Sequence, residues 1–325
     1  MNGPVAAPAS TRLSRFANGP MRYLWIVGVV LYLGAITYVG WGDVAGAVSG
    51  IQFSFLALFI VVELAALGLR ALKWRIALGP NANALQACFL SKGGGNLTPA
   101  RLGEFAPLLT TTHRSARVGA WIIFDRVIEA SATLVIGLAG LAVVLGVTQG
   151  SALALWSLLF LAALIGGLFL LSNRNVRLVL AGSAPAHTFR ARMAALLETT
   201  GKELVSLRER AGILIVLTIA ASLLDLVLGF VLFLSFGLTV GLAVLALAQL
   251  VHALTSTIPL APNATGIPYA AAAVVLVEVA GVPLEIMAAV IGVRILLASG
   301  VFWACFLFAV NAQPRSPVAS AEESA

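Results

Sequence analysis

Four charged side chains of this 325-residue chain lie deep inside long apolar runs. On insertion scales a charge at the centre of a bilayer costs about 2.5–3.5 kcal/mol, so such a side chain is usually paired or functional. Arg126 lies about two turns into one run, with Asp125 beside it and Glu129 on a common helical side. Arg294 is comparably deep in the last run. Guanidinium groups match phosphate in a bidentate fork, so Arg126 and Arg294 are candidates for binding a phosphate group.

The alternative is that the two arginines form buried ion pairs that hold the two halves of the protein together. The carboxylates available for this are Glu104 and Glu63 for Arg126, and Asp225 and Glu278 for Arg294. The residue types and their spacing leave both possibilities open, and the acidic residues are therefore candidates for the site as well.

The composition places these charges in a membrane protein. The chain is 60% hydrophobic and only 10% charged, with a mean hydropathy of +1.02, whereas soluble domains carry roughly 25% charged residues. So few charges cannot cover a water-facing surface, and we expect an all-α, multi-pass membrane protein. The net charge of +7 does not indicate nucleic-acid binding, because the basic residues lie at the ends of apolar runs.

We expect no metal, no cofactor and no catalytic site. Cys88 and Cys305 are isolated, and the three histidines are scattered. Lys92 precedes the glycines 93–95, but the chain has no G-K-[ST] and no preceding strand, so this is not a nucleotide phosphate loop. The glycines permit either a tight turn or a close approach between helices.

About six apolar runs are near or above the roughly 18 residues that a bilayer crossing requires. They are 24–40, 52–70, 118–147, 152–172, 212–236 and 287–311. Lys and Arg occur in alternate connections only, which predicts that the N-terminus, the 173–211 loop and the C-terminus are cytoplasmic. The expected location is the plasma (inner) membrane.

The expected organisation is one transmembrane domain at 23–311, made of two halves at about 23–148 and 151–311. Residues 1–22 and 312–325 read as disordered cytoplasmic ends. The 173–211 loop has helical periodicity with mixed charge, which predicts a helix on the cytoplasmic membrane surface.

Two segments, about 82–110 and 241–282, are broken by Pro, Gly, Asn and Thr and do not fit simple crossings. Non-helical backbone at membrane depth must be satisfied by protein or by water in a cavity. We therefore predict two re-entrant hairpins, although two full crossings remain possible for the second. Asn96 and Asn263 either cap the half-helices or contact substrate, and Arg101 with Glu104 forms the charged end of the first hairpin.

The two hairpins and the helices after them share residues. Asn96 and Asn263 are 167 residues apart, and Arg126 and Arg294 are 168 apart. Glu63 and Asp225 pair more loosely in the helices before the hairpins. With the predicted orientation, the halves are inverted copies, a plan that recurs in transporters with a site at the repeat interface.

The motifs "NLTPARLGEF", "DRVIEAS" and "IPLAPNATG" resemble the flippase-like transmembrane domain of lysylphosphatidylglycerol synthases, which has stand-alone relatives. The resemblance covers about 20–312. It departs in the second hairpin, where Tyr269 stands near the position of an expected Glu, which adds Tyr269 to the candidate site. The synthases' soluble aminoacyl-transferase domain has no counterpart here, so we expect no lipid lysinylation.

The resemblance and the inverted repeat predict a flippase that moves an anionic phospho- or polyprenyl-type lipid between leaflets. The alternatives are an intramembrane lipid-modifying enzyme, with Glu104, Asp125 or Glu129 as acid or base, and a scaffold for a lipid-synthesis or glycosyltransferase partner. No nucleic-acid partner is expected.

Overall fold

The structure is a computed structural model that describes most of the chain between residues 30 and 311. The described residues are 30, 32–34, 36–79, 83–97, 102–109, 116–149, 151–173, 189–256 and 267–311. They form helices and short connections with no β-strand among them. The ends predicted to be disordered, 1–22 and 312–325, lie outside the described residues.

Ten α-helices are described with continuous bounds after residue 40. They are α1 (Trp41–Ser49), α2 (Phe53–Leu78), α3 (Ala84–Leu97), α4 (Ala116–Gln149), α5 (Ser151–Ser172), α6 (Phe189–Leu207), α7 (Ala211–Ser235), α8 (Leu242–Thr255), α9 (Ile267–Ala280) and α10 (Leu284–Asn311). A 3₁₀ helix at Leu102–Leu109 lies between α3 and α4, and a single 3₁₀ turn at Arg208–Arg210 joins α6 to α7. α4 is interrupted near its end at Gly146 (φ 70°, ψ 168°).

Four described helical stretches are long and apolar enough to cross a bilayer. They are Phe53–Leu78, Ala116–Gly146, Glu198–Ser235 and Leu284–Asn311. These include the predicted spans 52–70, 118–147, 212–236 and 287–311. The predicted span 152–172 is helix α5, whose described apolar stretch is Ala154–Gly167. The predicted span 24–40 lies partly outside the described residues.

The long helices are apolar on nearly all sides, which a helix in contact with lipid requires. α2 buries one face, with Phe59, Ala66 and Trp74 on it, while Phe53 and Val61 on the other side are 80% and 61% exposed. Exposed apolar side chains of this size are expected where the surrounding solvent is lipid rather than water.

Three helices of the predicted hairpin segments are too short to cross a bilayer alone. α3, α8 and α9 have 14 residues each, about 21 Å of helix against a hydrocarbon core of about 30 Å. They belong to the two segments predicted as hairpins. Residues 98–101 and 257–266, which include Arg101 and Asn263, lie outside the described residues.

The glycines that follow Lys92 lie within helix α3 and not in a turn. A Cβ on Gly94 would be 2.3 Å from the Gly103 carbonyl oxygen of the 3₁₀ helix. A glycine is therefore needed here for close helix packing, which was one of the two roles expected from the sequence. Gly140 of α4 likewise permits close packing against α8, a helix of the second predicted hairpin. A Cβ on Gly140 would be 2.5 Å from the Ala243 carbonyl oxygen.

Helices from the first half of the chain pack against helices from the second half. α2 packs along α7, and these helices carry Glu63 and Asp225. α3 packs on α10, and α8 packs on α4. α1 likewise packs on α10, and α5 on α4. The middle of the molecule is thus built from elements of both halves.

The helix expected within 173–211 is present as α6. It packs against α4 and α5, and its Leu204 and Leu207 are buried with Trp74 and Trp121. The rings of Trp74 and Trp121 meet edge to face with centroids 6.2 Å apart. One face of α6 is therefore part of the protein core.

Candidate functional site

Eight charged side chains form one connected network of ion pairs among the described residues. The four cations are Arg70, Lys73, Lys92 and Arg126, and the four carboxylates are Glu104, Asp125, Glu129 and Asp225. They come from α2, α3, the 3₁₀ helix, α4 and α7. The network therefore has no net formal charge.

Asp125 is the innermost carboxylate of the network. Lys73, which is 0% exposed, donates to Asp125 Oδ1 at 2.6 Å and to the Thr218 hydroxyl at 3.2 Å. Lys92 lies 3.6 Å from the other oxygen of Asp125. Thr218 donates in turn to the Leu214 carbonyl at 2.8 Å. Asp125, Lys73 and Thr218 are therefore joined by a continuous chain of hydrogen bonds.

Glu129 lies one helical turn after Asp125 on α4 and joins three cations. Lys92 donates to both of its oxygens at 3.2 Å, and Arg126 Nη1 lies 2.8 Å from Oε2. Arg70 Nε is 3.8 Å from Oε1. A carboxylate shared by three cations is the hub that connects α2, α3 and α4.

Arg126 also pairs with Glu104, which reaches it from the 3₁₀ helix. Gly95 makes this possible, because a Cβ there would be 2.5 Å from Glu104 Cγ. Of the two partners predicted for Arg126, Glu104 is therefore correct. Glu104 is buried, while the Arg126 side chain remains 28% exposed.

Arg70 connects the network to α7. Its Nη2 donates to both oxygens of Asp225 at 2.7 Å. The sequence suggested Asp225 or Glu278 as a direct partner for Arg294. Asp225 is bound to Arg70 instead, because α2 lies along α7, and Glu278 is exposed on α9.

Arg294 has a different environment from Arg126. Its guanidinium shares a side-chain hydrogen bond with Tyr269 of α9, and Asp225 and Glu63 interact with it electrostatically. Among the described residues, no carboxylate lies within 4 Å of it, the distance at which all the pairs above are formed. A neutral phenol therefore takes the place that a carboxylate takes at Arg126. The Tyr269 ring also meets His252 of α8 edge to face at 5.0 Å.

Glu63 is 5% exposed and lies on the buried face of α2, two turns before Arg70. No ion-pair or hydrogen-bond partner contacts its carboxylate among the described residues. Its electrostatic neighbours are Arg70, Asp225 and Arg294.

The structure thus brings most predicted site residues into one region. Glu104, Asp125, Arg126, Glu129 and Asp225 are in the network, and Glu63, Tyr269 and Arg294 lie beside it. Arg101, Asn263 and the side chain of Asn96 lie outside the described residues. No group of three His, Cys, Asp or Glu residues suited to a metal ion occurs in the described part of the chain.

Three members of the network, Arg70, Lys73 and Lys92, were not predicted as site residues. Arg70 and Lys73 were interpreted as charges flanking a span that ended at residue 70, but α2 continues to Leu78 and buries both. The signal was the spacing of Glu63, Arg70 and Lys73, which places the three charges on the face of α2 that carries its large buried residues.

Comparison with known protein families bears on this charged site. The sequence model of the lysylphosphatidylglycerol synthase TM region matches residues 25–307. The chain belongs to this family. The match includes every residue of the network together with Tyr269 and Arg294, and it confirms the resemblance drawn from the sequence motifs. A multi-pass membrane protein with a lipid-related role is consistent with the family and with the apolar helices. No curated protein sequence and no solved structure shows significant similarity to the chain.

Proposed function

We propose that the protein is a transporter that moves an anionic lipid between the two leaflets of the membrane. The observation that carries the proposal is the difference between its two deep arginines. Arg126 is neutralised by Glu104 and Glu129, whereas Arg294 contacts the neutral hydroxyl of Tyr269. A guanidinium at membrane depth that no carboxylate contacts directly is suited to binding a lipid phosphate.

The packing between the two halves supports an inverted repeat as the framework. If α2 corresponds to α7, α3 to α8 and α4 to α10, then the contact of α3 with α10 corresponds to that of α8 with α4. The predicted span 24–40 meets α10 where Tyr32 donates to the Ala288 carbonyl at 3.1 Å, and this contact likewise corresponds to that of α5 with α4. In transporters of this plan the substrate site lies between the repeats, which is where the network and Arg294 lie.

The short helices support re-entrant hairpins in the same way. A helix of about 21 Å is shorter than the hydrocarbon core, so if it begins at the membrane surface it ends inside the core and its end needs partners inside the protein. Under this proposal the hairpin with α3 enters from the cytoplasm and the one with α8 and α9 enters from outside. The N- and C-termini of the chain would then be cytoplasmic, and the protein would reside in the inner membrane.

The test is lipid translocation in reconstituted vesicles. The full chain is placed in phosphatidylcholine vesicles with fluorescent phosphatidylglycerol, and the label accessible to an external quencher is followed over time. We expect faster loss of protected phosphatidylglycerol label than in protein-free vesicles, and a smaller effect on labelled phosphatidylcholine. Arg294→Gln should abolish most of the difference, and Glu278→Gln, an exposed position on α9, should retain it.

Mass spectrometry of the same lipids separates transport from chemistry. Unchanged lipid that crosses in an Arg294-dependent manner supports the proposal. Modified lipid would favour an enzyme, and no movement of any labelled lipid by folded wild-type protein would contradict a transporter.

A further inference from the structure

Glu63 is a buried carboxylate that the ion-pair network does not use. It is 5% exposed, and no cation among the described residues lies within 4 Å of it. A buried, unpaired charge is costly, and a carboxylate removes that cost by taking a proton. Glu63 is therefore the acidic side chain of this region that is best placed to gain and lose a proton.

The surroundings of Glu63 contain several other charges. The groups that interact electrostatically with Glu63 are Arg70 on α2, Asp225 on α7, and Arg294 and Cys305 on α10. Tyr269 on α9 contacts Arg294, and Glu129 on α4 joins Lys92 on α3 to Arg70. Of these, Arg70 and Asp225 are bound to each other at 2.7 Å. Lys92 and Glu129 are bound to each other at 3.2 Å. Arg294 is the remaining cation without a carboxylate of its own among these groups.

The balance of formal charges in this region depends on Glu63 and Arg294. Within the described part of the chain the network contains four cations and four carboxylates, so their formal charges cancel without help from Glu63 or Arg294. Ionised Glu63 then balances Arg294. If a monoanionic phosphate binds Arg294 while Glu63 is ionised, the region gains one uncompensated negative charge in a medium of low dielectric constant.

We propose that Glu63 takes up one proton when Arg294 binds the phosphate of an anionic lipid, so that proton and lipid occupy the protein together. This rests on the proposed function and adds the coupling ion to it. The step forms one O–H bond on the Glu63 carboxylate with a proton from the aqueous phase, and no bond of the lipid changes. Release of the lipid on the other side returns the proton there.

Thermodynamic linkage fixes the direction of the pH dependence. If lipid binding favours protonated Glu63, protonation must favour lipid binding by the same factor. The affinity for the lipid therefore increases as the pH falls. Where Glu63 is ionised in the lipid-free protein and protonated in the complex, the affinity weakens about tenfold for each pH unit of increase. Glu63→Gln imitates the protonated form and should bind lipid with little dependence on pH.

Proton uptake on binding is the direct test. A water-soluble, short-chain phosphatidylglycerol, whose phosphodiester stays monoanionic around neutral pH, is added to the purified full chain in weakly buffered detergent with a pH indicator. We expect wild-type protein to take up close to one proton per bound lipid. Glu63→Gln should bind the lipid without proton uptake, and the matched control Glu278→Gln should behave as wild type.

Each other outcome overturns the inference. Lipid binding by wild-type protein without proton uptake rules out the coupling, and proton uptake that persists in Glu63→Gln assigns it to another group. A protein that binds no phosphatidylglycerol has no anion site at Arg294. The proposed function fails separately, when the wild-type protein binds lipid and takes up the proton but moves no labelled lipid across vesicles.

Discussion

Arg70 Nη2 lies 2.7 Å from both carboxylate oxygens of Asp225, and this contact joins α2 to α7. Arg70 is buried, so its charge is balanced by Asp225 and not by water. The proposed halves of the repeat are thus fastened together by a charged pair as well as by apolar packing. Removing one partner of a buried pair leaves the other uncompensated, which is more costly than removing both.

Arg70→Met should therefore destabilise the protein strongly, by about 3–5 kcal/mol, while Arg70→Met combined with Asp225→Leu should recover a large part of that loss. Thermal unfolding in detergent, followed by helical circular dichroism, measures both. The exposed pair Lys202–Glu198, at 2.8 Å, is the control. Lys202→Ala should change stability by less than about 1 kcal/mol. Additive losses in the double variant would contradict the pairing.

The two deep arginines should differ in what their removal affects. Arg126→Gln removes the guanidinium that pairs with both Glu104 and Glu129, so we expect a loss of about 3 kcal/mol or more of stability. Arg294→Gln strands no directly bound carboxylate, so its stability should change by less than about 1.5 kcal/mol while lipid transport is lost. Unfolding curves and vesicle assays on the same preparations test this. Equal losses of stability would remove the distinction between a structural and a binding arginine.

The close packing of α3 makes a different prediction. A Cβ on Gly94 would overlap the Gly103 carbonyl, which is backbone and cannot rotate away, so Gly94→Ala should cost about 1–3 kcal/mol. Gly68 of α2 has no atom within 4 Å of a Cβ position and is the matched control. Gly68→Ala should be neutral or slightly stabilising, because alanine favours a helix. Unfolding midpoints of the two variants check the difference, and equal midpoints would mean that the helices are not in contact at Gly94.

The sequence predicted the long helices well because their apolar runs follow directly from the cost of exposing backbone and charge to lipid. It also named Glu104 as one of two possible ion-pair partners of Arg126, and this pair is formed. It did not predict the partner of Arg294, since Asp225 could serve either arginine until the packing of α2 along α7 was known. Lys73 was missed because a basic residue at the end of an apolar run is usually interpreted as a flanking charge. Only the continuation of α2 to Leu78 places it in the core.

Tyr269 is expected to determine whether Arg294 can bind an anion. Tyr269→Glu would place a carboxylate beside the guanidinium, as Glu104 does for Arg126, and so compete with a lipid phosphate. We expect this variant to keep its fold and to lose at least about tenfold in affinity for short-chain phosphatidylglycerol, since roughly 1.4 kcal/mol of competition is sufficient. Tyr269→Phe removes only the hydroxyl and should retain binding within a few-fold. Titrations of both variants with the lipid measure these affinities. Undiminished binding by the Glu variant would show that the lipid phosphate does not use Arg294, because a guanidinium with a carboxylate beside it has little charge left for a second anion.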